Sequence, residues 1–219
     1  METLNKKIIN CEKCPRLVDF RQKIAKEKRK QFLSEKYWGK PVPGFGDKKA
    51  EILILGLAPA AHGGNRTGRL FTGDRSAAFL FKCLHKAKLA NQPYSEYNYD
   101  GLVLKNIYIT AALKCVPPFD KPTSKELKNC FSFLKEELNN LKYVKTIITL
   151  GKIAFDSSLI FFGLEKKENK FSHGKIYEVE RKKIVASYHP SPRNVNTRRI
   201  DESMMVELLL YVNKLHKKS

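Results

Sequence analysis

Four of the five cysteines are spaced so that they could share one metal centre. Cys11 and Cys14 form a C-x-x-C pair, and Cys115 and Cys130 lie far downstream with 14 residues between them. Two thiolates at the first spacing can both reach one metal, and a second pair brought in by the fold would complete four sulfur ligands. The spacing alone leaves an iron–sulfur cluster, a structural zinc, a redox pair and inert thiols open. Cys83 lies in an apolar helical pattern and is predicted to be a core residue.

A glycine-rich segment with an aromatic residue and a carboxylate follows the apolar run 52–55. The segment 56–74 reads GLAPAAHGGNRTGRLFTGD and matches neither G-x-G-x-x-G nor Walker A, so we expect no nucleotide cofactor. Its glycines would let the backbone approach a flat base closely. Phe71 offers an aromatic face three residues before the carboxylate of Asp74. Taken alone, Phe71 could equally be a core residue, and Asp74 the N-cap of a helix that begins at Arg75.

One histidine follows a predicted buried strand, at a position where its side chain could take part in a reaction. His189 stands in YHPSPRN at 188–194, directly after the apolar run 184–187. A side chain at the end of a buried strand is held towards a cleft, where an imidazole can donate a hydrogen bond to a leaving oxygen or act as an acid or base. Of the other histidines, only His62 lies in a loop of interest, the glycine-rich one.

The elements that must position these residues are four apolar runs with helical patterns between them. The runs are continuous rather than alternating, which is typical of strands buried on both faces of a parallel sheet. The predicted strands are 52–55, 107–110, 146–150 and 184–187. The predicted helices are 16–36, 75–89, 123–141, 152–162 and 201–215. This alternation predicts an α/β fold, a three-layer α/β/α sandwich around a central, mainly parallel four-stranded sheet, with ligands bound at the carboxyl ends of the strands.

Composition and charge favour one soluble domain with an anionic partner. A length of 219 residues suits one domain, and no apolar run approaches the roughly 18 residues of a membrane span. We therefore expect a single domain, 1–219, onto which an N-terminal cysteine-bearing segment, about 1–46, is packed. A net charge of +20 favours nucleic acid as the partner. The N-terminus lacks the apolar region of a secretory signal, so the expected compartment is the cytoplasm.

Four stretches of the chain together resemble one known family. They are CEKCPRL at 11–17, GLAPAAHGGNRTGRLFTGD at 56–74, KCVPP at 114–118 and YHPSPRN at 188–194. These motifs are similar to those of the family 5, or type B, uracil-DNA glycosylases. The related family 4 enzymes would show an acidic residue where Leu57 stands. The resemblance runs from Cys11 to about Leu210, nearly the whole chain.

The resemblance implies a uracil-glycosylase fold, an activity and a cofactor. The activity is removal of uracil, and of other deaminated bases such as hypoxanthine, from single- and double-stranded DNA, the first step of base excision repair. The cofactor is a structural [4Fe-4S] cluster, with zinc as the alternative, on Cys11, Cys14, Cys115 and Cys130. We expect a monomer. The opposing hypotheses are a non-catalytic DNA-binding iron–sulfur module and a hydrolase of small nucleosides. The net charge of +20 argues against the second, because a small neutral substrate does not need a large basic surface.

The resemblance also implies roles for single residues. Asp74 matches the catalytic carboxylate, Phe71 the aromatic that stacks on the base, and His189 the histidine that hydrogen-bonds it. The further residues expected to bind substrate are Gly56, Leu57, Ala58 and Asp120. The family commonly has asparagine where Asp120 stands, and an ionised aspartate can accept a hydrogen bond but cannot donate one. The arginines expected to contact DNA are Arg66, Arg69 and Arg193.

Overall fold

The computed structural model of the protein describes residues 1–217, and Lys218 and Ser219 of the predicted domain lie outside them. The helices of this part are α1 (Glu2–Ile9), α2 (Pro15–Glu27), α3 (Gly64–Thr67), α4 (Arg75–Lys86), α5 (Ser124–Asn140), α6 (Lys152–Phe161), α7 (Pro192–Asn196) and α8 (Glu202–Lys217). The strands are β1 (Phe45–Gly46), β2 (Ile52–Gly56), β3 (Ile107–Ala111), β4 (Thr146–Leu150), β5 (Ile176–Val179) and β6 (Lys182–Ser187). Short 3-10 turns lie at Lys30–Phe32 and Pro118–Asp120.

The strands form one mixed sheet in the order β1-β3-β2-β4-β6-β5. Its central four strands, β3, β2, β4 and β6, are parallel. Every residue of β2, β3 and β4 is buried, which explains their continuous apolarity and confirms the predicted four-stranded parallel sheet. The antiparallel edge strands β1 and β5 were not predicted. Strand β1 has only two residues, and β5 contains an exposed position, so neither gives a continuous apolar run.

Helices cover both faces of the sheet and make the three predicted layers. On one face, Ile52 and Ile54 pack with side chains of α4 and α8. On the other, Leu53 and Leu55 pack with side chains of α5 and α6. Cys83 of α4 is fully buried in the first of these clusters, which confirms it as a core residue. The fold class predicted from the sequence is therefore confirmed.

Helix limits differ from the prediction mainly near the N-terminus. The predicted helix 16–36 ends at Glu27 because Lys28 has a φ of 54°, outside the helical region. Helix α1 was not predicted, since only Leu4 and Ile8 of its eight residues are buried and the apolar pattern is short. The capping box of α5 is confirmed: Thr123 and Glu126 each accept a hydrogen bond from the other's backbone N–H. No helix within residues 1–217 is long and apolar enough to cross a membrane.

Candidate active site

An aromatic ring lies over the carboxyl end of β2. Phe71 covers Gly56 so closely that a Cβ added there would stand 3.0 Å from its Cε2 atom and 3.1 Å from its Cζ atom. The same ring stacks on His189, with 5.9 Å between centroids and an interplanar angle of 27°. Phe71 has a φ of 49°, and backbone strain of this kind clusters at functional sites. The structure thus brings together Phe71, His189 and Gly56, three residues that the sequence singled out.

His189 is held by its own loop immediately after β6. The side-chain amide of Asn194 donates a 2.8 Å hydrogen bond to the carbonyl of His189, and Ser191 caps α7. Burial lowers the pKa of His189 to about 4, although part of the residue remains exposed to solvent. The imidazole is therefore neutral at pH 7. In that state it can donate one hydrogen bond without carrying a positive charge.

Asp74 caps a helix and also lines a cleft. Its Oδ1 atom accepts a 2.8 Å hydrogen bond from the backbone N–H of Ala77, which makes it the N-cap of α4. Its Oδ2 atom faces Gly63, where an added Cβ would stand only 2.7 Å away. Burial raises the pKa of Asp74, and the negative charge of Asp120 raises it further. The N-cap reading is thus correct, and one carboxylate oxygen remains for other interactions.

The cleft beside Asp74 is open and has a volume of about 860 Å³. Asp120 lines it too, from the turn after β3, where Phe119 and Asp120 have φ values of 56° and 55°. Part of the lining comes from residues that the sequence analysis missed: Arg29, Phe32 and the segment 94–97. The signal that could have found the last of these is composition, because 94–99 holds three tyrosines in six residues.

Arg66 and Arg69 do not lie where the sequence analysis placed them. Their exposed fractions are only 3% and 7%. Arg69 forms a bidentate ion pair with Asp100, with nitrogen–oxygen distances of 2.9 and 2.6 Å. Arg66 pairs with Glu35, and its guanidinium carbon lies 4.1 Å from the centroid of the Phe32 ring. Buried, paired guanidinium groups are not available to phosphates, so the predicted DNA contact is corrected for both residues.

The other residues that the sequence analysis predicted to contact substrate or DNA lie in different surroundings. The carbonyls of Gly56 and Leu57 accept hydrogen bonds from the backbone N–H groups of Ala112 and Leu113, at 3.0 and 2.9 Å. Ala58 packs against the apolar cluster that includes the cysteines. Gly56 lies against the Phe71 ring, and substrate contact by Gly56, Leu57 and Ala58 stays a prediction. Arg193, on α7, is exposed and remains a predicted DNA contact.

Four free cysteines, those predicted to share one metal centre, line a single pocket. Cys11 and Cys14 come from the link between α1 and α2, Cys115 from the turn after β3, and Cys130 from α5. The apolar side chains that share the lining are Leu17, Val18, Pro41, Leu113 and Phe133. Burial raises the pKa of Cys115 to about 12 and that of Cys130 to about 11. Without a bound cation, these two thiols would stay protonated at neutral pH.

The surroundings of this pocket suit a group with negative charge. The backbone N–H of Lys114 donates to the sulfur of Cys130 at 3.2 Å. Arg21 is buried, and in the part of the chain that the structure describes its Nε and Nη1 atoms have no hydrogen-bond partner. A thiolate-held cluster with net negative charge would compensate that cation. Within residues 1–217, no group of three or more His, Cys, Asp or Glu side chains is arranged to hold a metal ion, so both a cluster and a zinc on these cysteines stay predictions.

Gly56→Ala tests whether the placement of Phe71 matters. The added methyl group would push the Phe71 ring, so we expect a loss of about 1–3 kcal/mol in stability from overpacking. We also expect activity to fall on the order of 10-fold or more, because a displacement of about 1 Å near the chemistry can cost about 100-fold. The control is the Phe71→Ala background, in which Gly56→Ala should have little further effect. Equal effects in both backgrounds would contradict a role through Phe71.

Comparison of the chain with known proteins identifies the same class of protein that the fold and the site define. The family model described as the uracil DNA glycosylase superfamily matches residues 43–213, and the chain belongs to this superfamily. It is similar to the type-5 uracil-DNA glycosylase of Thermus thermophilus, at 46% identity over 94% of this chain and 93% of the relative. The type-5 enzyme of Pyrobaculum aerophilum is 44% identical over 93% of this chain and 88% of the relative. A type-4 enzyme from Archaeoglobus fulgidus is 33% identical over 68% and 70%. The resemblance to type 5 is thereby confirmed.

Proposed function

We propose that the protein hydrolyses the N-glycosidic bond of uracil in DNA and leaves an abasic site. The observation that carries this proposal is the stacked pair Phe71–His189 at the carboxyl ends of β2 and β6, with Asp74 three residues beyond Phe71 in the same loop. An aromatic face, a neutral hydrogen-bond donor and a carboxylate are what a site needs to hold a flat base and cut it from its sugar. The names of the type-5 relatives agree with this chemistry.

In this proposal the target nucleotide leaves the helix before it is cut. A base inside a duplex cannot be reached, so it must flip into a pocket at a cost of a few kcal/mol, which is lowest for mispaired bases. The flipped uracil stacks on Phe71, and His189 donates a hydrogen bond to a carbonyl oxygen of the base. Hypoxanthine also forms mispairs and offers a carbonyl oxygen, so we include it among the substrates.

The chemical step separates charge, and the site is suited to stabilise both parts. The bond between C1′ of the sugar and the base nitrogen breaks, and its electron pair leaves with the base. His189 stabilises the resulting anion through its hydrogen bond, while the carboxylate of Asp74 stabilises the cationic sugar. Water then adds to C1′, and its proton passes to Asp74 or to solvent. Burial of Asp74 strengthens its interaction with the cation, because the local dielectric is low.

We further propose that Cys11, Cys14, Cys115 and Cys130 hold a [4Fe-4S] cluster. Its contribution is structural: four sulfur–iron bonds would tie the link between α1 and α2 to the β3 turn and to α5. The N-terminal segment, about 1–46, would thereby be fixed to the rest of a single domain. Arg21 would lie beside the cluster as its positive partner.

We propose DNA, both single- and double-stranded, as the partner of a monomeric, cytoplasmic enzyme. The net charge of +20 supplies the general attraction, and the exposed Arg193 lies on the helix that follows the His189 loop. Because Arg66 and Arg69 are buried, we expect exposed side chains such as Arg193 to contact the phosphates.

Release of uracil from a labelled oligonucleotide tests the activity. We expect strand scission after alkali treatment for a U·G duplex and for the same strand alone, and none for a C·G control. Hypoxanthine, xanthine and thymine mispairs in the same sequence would define the range of bases. DNA binding without any uracil release, by protein with a full complement of iron, would favour the non-catalytic iron–sulfur module instead.

A further inference from the structure

A second groove continues from the cleft that holds Asp74. It has a volume of about 500 Å³, and Arg66 and Tyr97 line both it and the cleft. The remaining residues of its lining are Glu35, Lys36, Tyr37, Trp38, Lys40, Thr67, Asn98 and Tyr99. The chemical step does not use this groove, and of its lining residues only Arg66 and its partner Glu35 were described above.

Four of the ten residues that line the groove are aromatic. Tyr97 and Tyr99 stack on one another with 5.5 Å between centroids and an angle of 18°. Tyr99 is 82% exposed, so the other face of its ring is open to solvent. Tyr94, which lines the neighbouring cleft, is also half exposed. Large exposed aromatic rings are costly to leave in water, and in nucleic-acid-binding grooves they serve as stacking surfaces for bases.

The charge of the groove suits a phosphate backbone. Lys36 and Lys40 are exposed in its lining, and Lys40 lies 5.8 Å from the centroid of the Trp38 ring. Glu35, the carboxylate in the lining, is already paired with Arg66. Basic side chains interleaved with aromatic rings are the arrangement by which proteins bind single strands without reading their sequence.

The buried arginines anchor this aromatic segment to the catalytic loop. Arg69 holds Asp100 and donates to the Ser95 hydroxyl at 2.8 Å, and the backbone N–H of Gly73 donates to the Ser95 carbonyl at 2.7 Å. The guanidinium of Arg66 lies 5.4 Å from the Tyr97 ring centroid. The loop that carries Phe71 and Asp74 and the segment that carries the tyrosines are therefore fixed relative to each other.

We propose that the groove binds unpaired bases of the strand that carries the uracil, with the open face of Tyr99 as a stacking surface and Lys36 and Lys40 as phosphate contacts. This inference rests on the proposed function, because the strand must enter the cleft for its neighbouring bases to reach Tyr99. The flanking bases of a single strand are free to stack on a protein ring, whereas those of a duplex are already stacked on each other. The groove therefore favours single-stranded substrate.

Tyr99→Ala measures the contribution of the stack. The probe is a fluorescent single strand that contains 2′-fluoro-deoxyuridine, which binds as uracil but resists cleavage. We expect its affinity to fall about 5- to 150-fold, the loss typical of one base–aromatic stack, and the affinity of a blunt duplex of the same sequence to fall much less. Tyr99→Phe should retain most of the wild-type affinity, because it keeps the ring.

Two controls separate stacking from other effects. Tyr143→Ala removes another exposed tyrosine, which lies just before the amino-terminal end of β4 and outside the lining of the groove, and should leave single-strand affinity unchanged. Lys36→Ala should reduce the slope of log affinity against log salt by about 0.7, as expected for one phosphate contact on a single strand, whereas Tyr99→Ala should leave that slope unchanged.

Two results would overturn the inference. Wild-type affinity of Tyr99→Ala for the single strand would exclude the stack, and an equal loss on single strand and duplex would make Tyr99 a general surface contact. Either result is compatible with normal uracil release by the wild-type protein, so the inference about the groove can be wrong while the proposed function stands. Absence of uracil release by the wild type would instead remove the proposed function, and the binding measurements would remain interpretable.

Discussion

Asp74→Asn is expected to slow single-turnover release of uracil on the order of 100-fold or more while leaving the melting temperature nearly unchanged. Asparagine caps a helix about as well as aspartate, so its side-chain oxygen can still accept the hydrogen bond from the Ala77 N–H. What the substitution removes is the negative charge, which we propose stabilises the sugar cation in the transition state. Folding and DNA affinity should therefore be retained, and the loss should fall on the chemical step.

Asp74→Ala separates the two roles of the side chain. It removes both the charge and the cap, so we expect a similar loss of rate together with about 1 kcal/mol less stability. If Asp74 were only an N-cap, Asp74→Asn would turn over like the wild type and Asp74→Ala would lose stability alone. Melting temperature and single-turnover rate measured on both variants distinguish these outcomes.

Asp120 provides the matched control on the other side of the cleft. Asp120→Asn places there the residue that the resemblance leads one to expect, and should retain most of the rate. Because the charge of Asp120 raises the pKa of Asp74, its removal should lower that pKa and move the acidic limb of the pH–rate profile to lower pH. Near wild-type turnover by Asp74→Ala, with turnover abolished in Asp120→Ala, would transfer the catalytic role to the turn after β3.

The elements that positioned the site could be predicted because their signals are local. Strands buried on both faces must be apolar throughout, and β2, β3, β4 and β6 each gave such a run. The capping box of α5 is equally local, since its two side chains are three residues apart. Of the motif residues, His189 comes just after β6, at the edge of the sheet where the carboxyl ends of the parallel strands meet, whereas Phe71 and Asp74 lie at the far end of the long loop that begins at Gly56.

The roles of the loop arginines could not be predicted in this way. The partners of Arg66 and Arg69 are Glu35 and Asp100, each 31 residues away along the chain, and no spacing rule links them. An arginine in a glycine-rich loop has the same local sequence whether it points to solvent or to a distant carboxylate. The burial of both guanidinium groups is a tertiary property, and it brings Arg69 into contact with Ser95 and Asp100 and Arg66 into contact with the Tyr97 ring.

Cys115→Ser is expected to lose the cluster and with it much of the stability of the N-terminal segment. Serine is a poor ligand for iron, and one missing sulfur leaves the site incomplete. Without the cluster, the remaining contacts of α1 and α2 include Leu4, Ile8 and Leu17 in one small apolar cluster, the ion pair of Arg16 with Glu126, and a hydrogen bond from the side-chain amide of Asn65 to the Arg21 carbonyl. We expect the iron and sulfide content to collapse, the visible absorption of the cluster to disappear, and the melting temperature to fall by about 10 °C or more.

Cys83→Ala is the control that makes this result specific to the cluster. Cys83 is fully buried in the main core, so its replacement creates a small cavity and also lowers stability, but it should leave the iron content of the protein unchanged. Limited proteolysis adds a spatial readout: Cys115→Ser should expose the α1–α2 segment to cleavage before the rest of the chain, whereas Cys83→Ala should not. Stoichiometric zinc without iron in wild-type protein purified in air would show that the four thiolates bind a single ion, and the cluster would have to be replaced by zinc at the same cysteines.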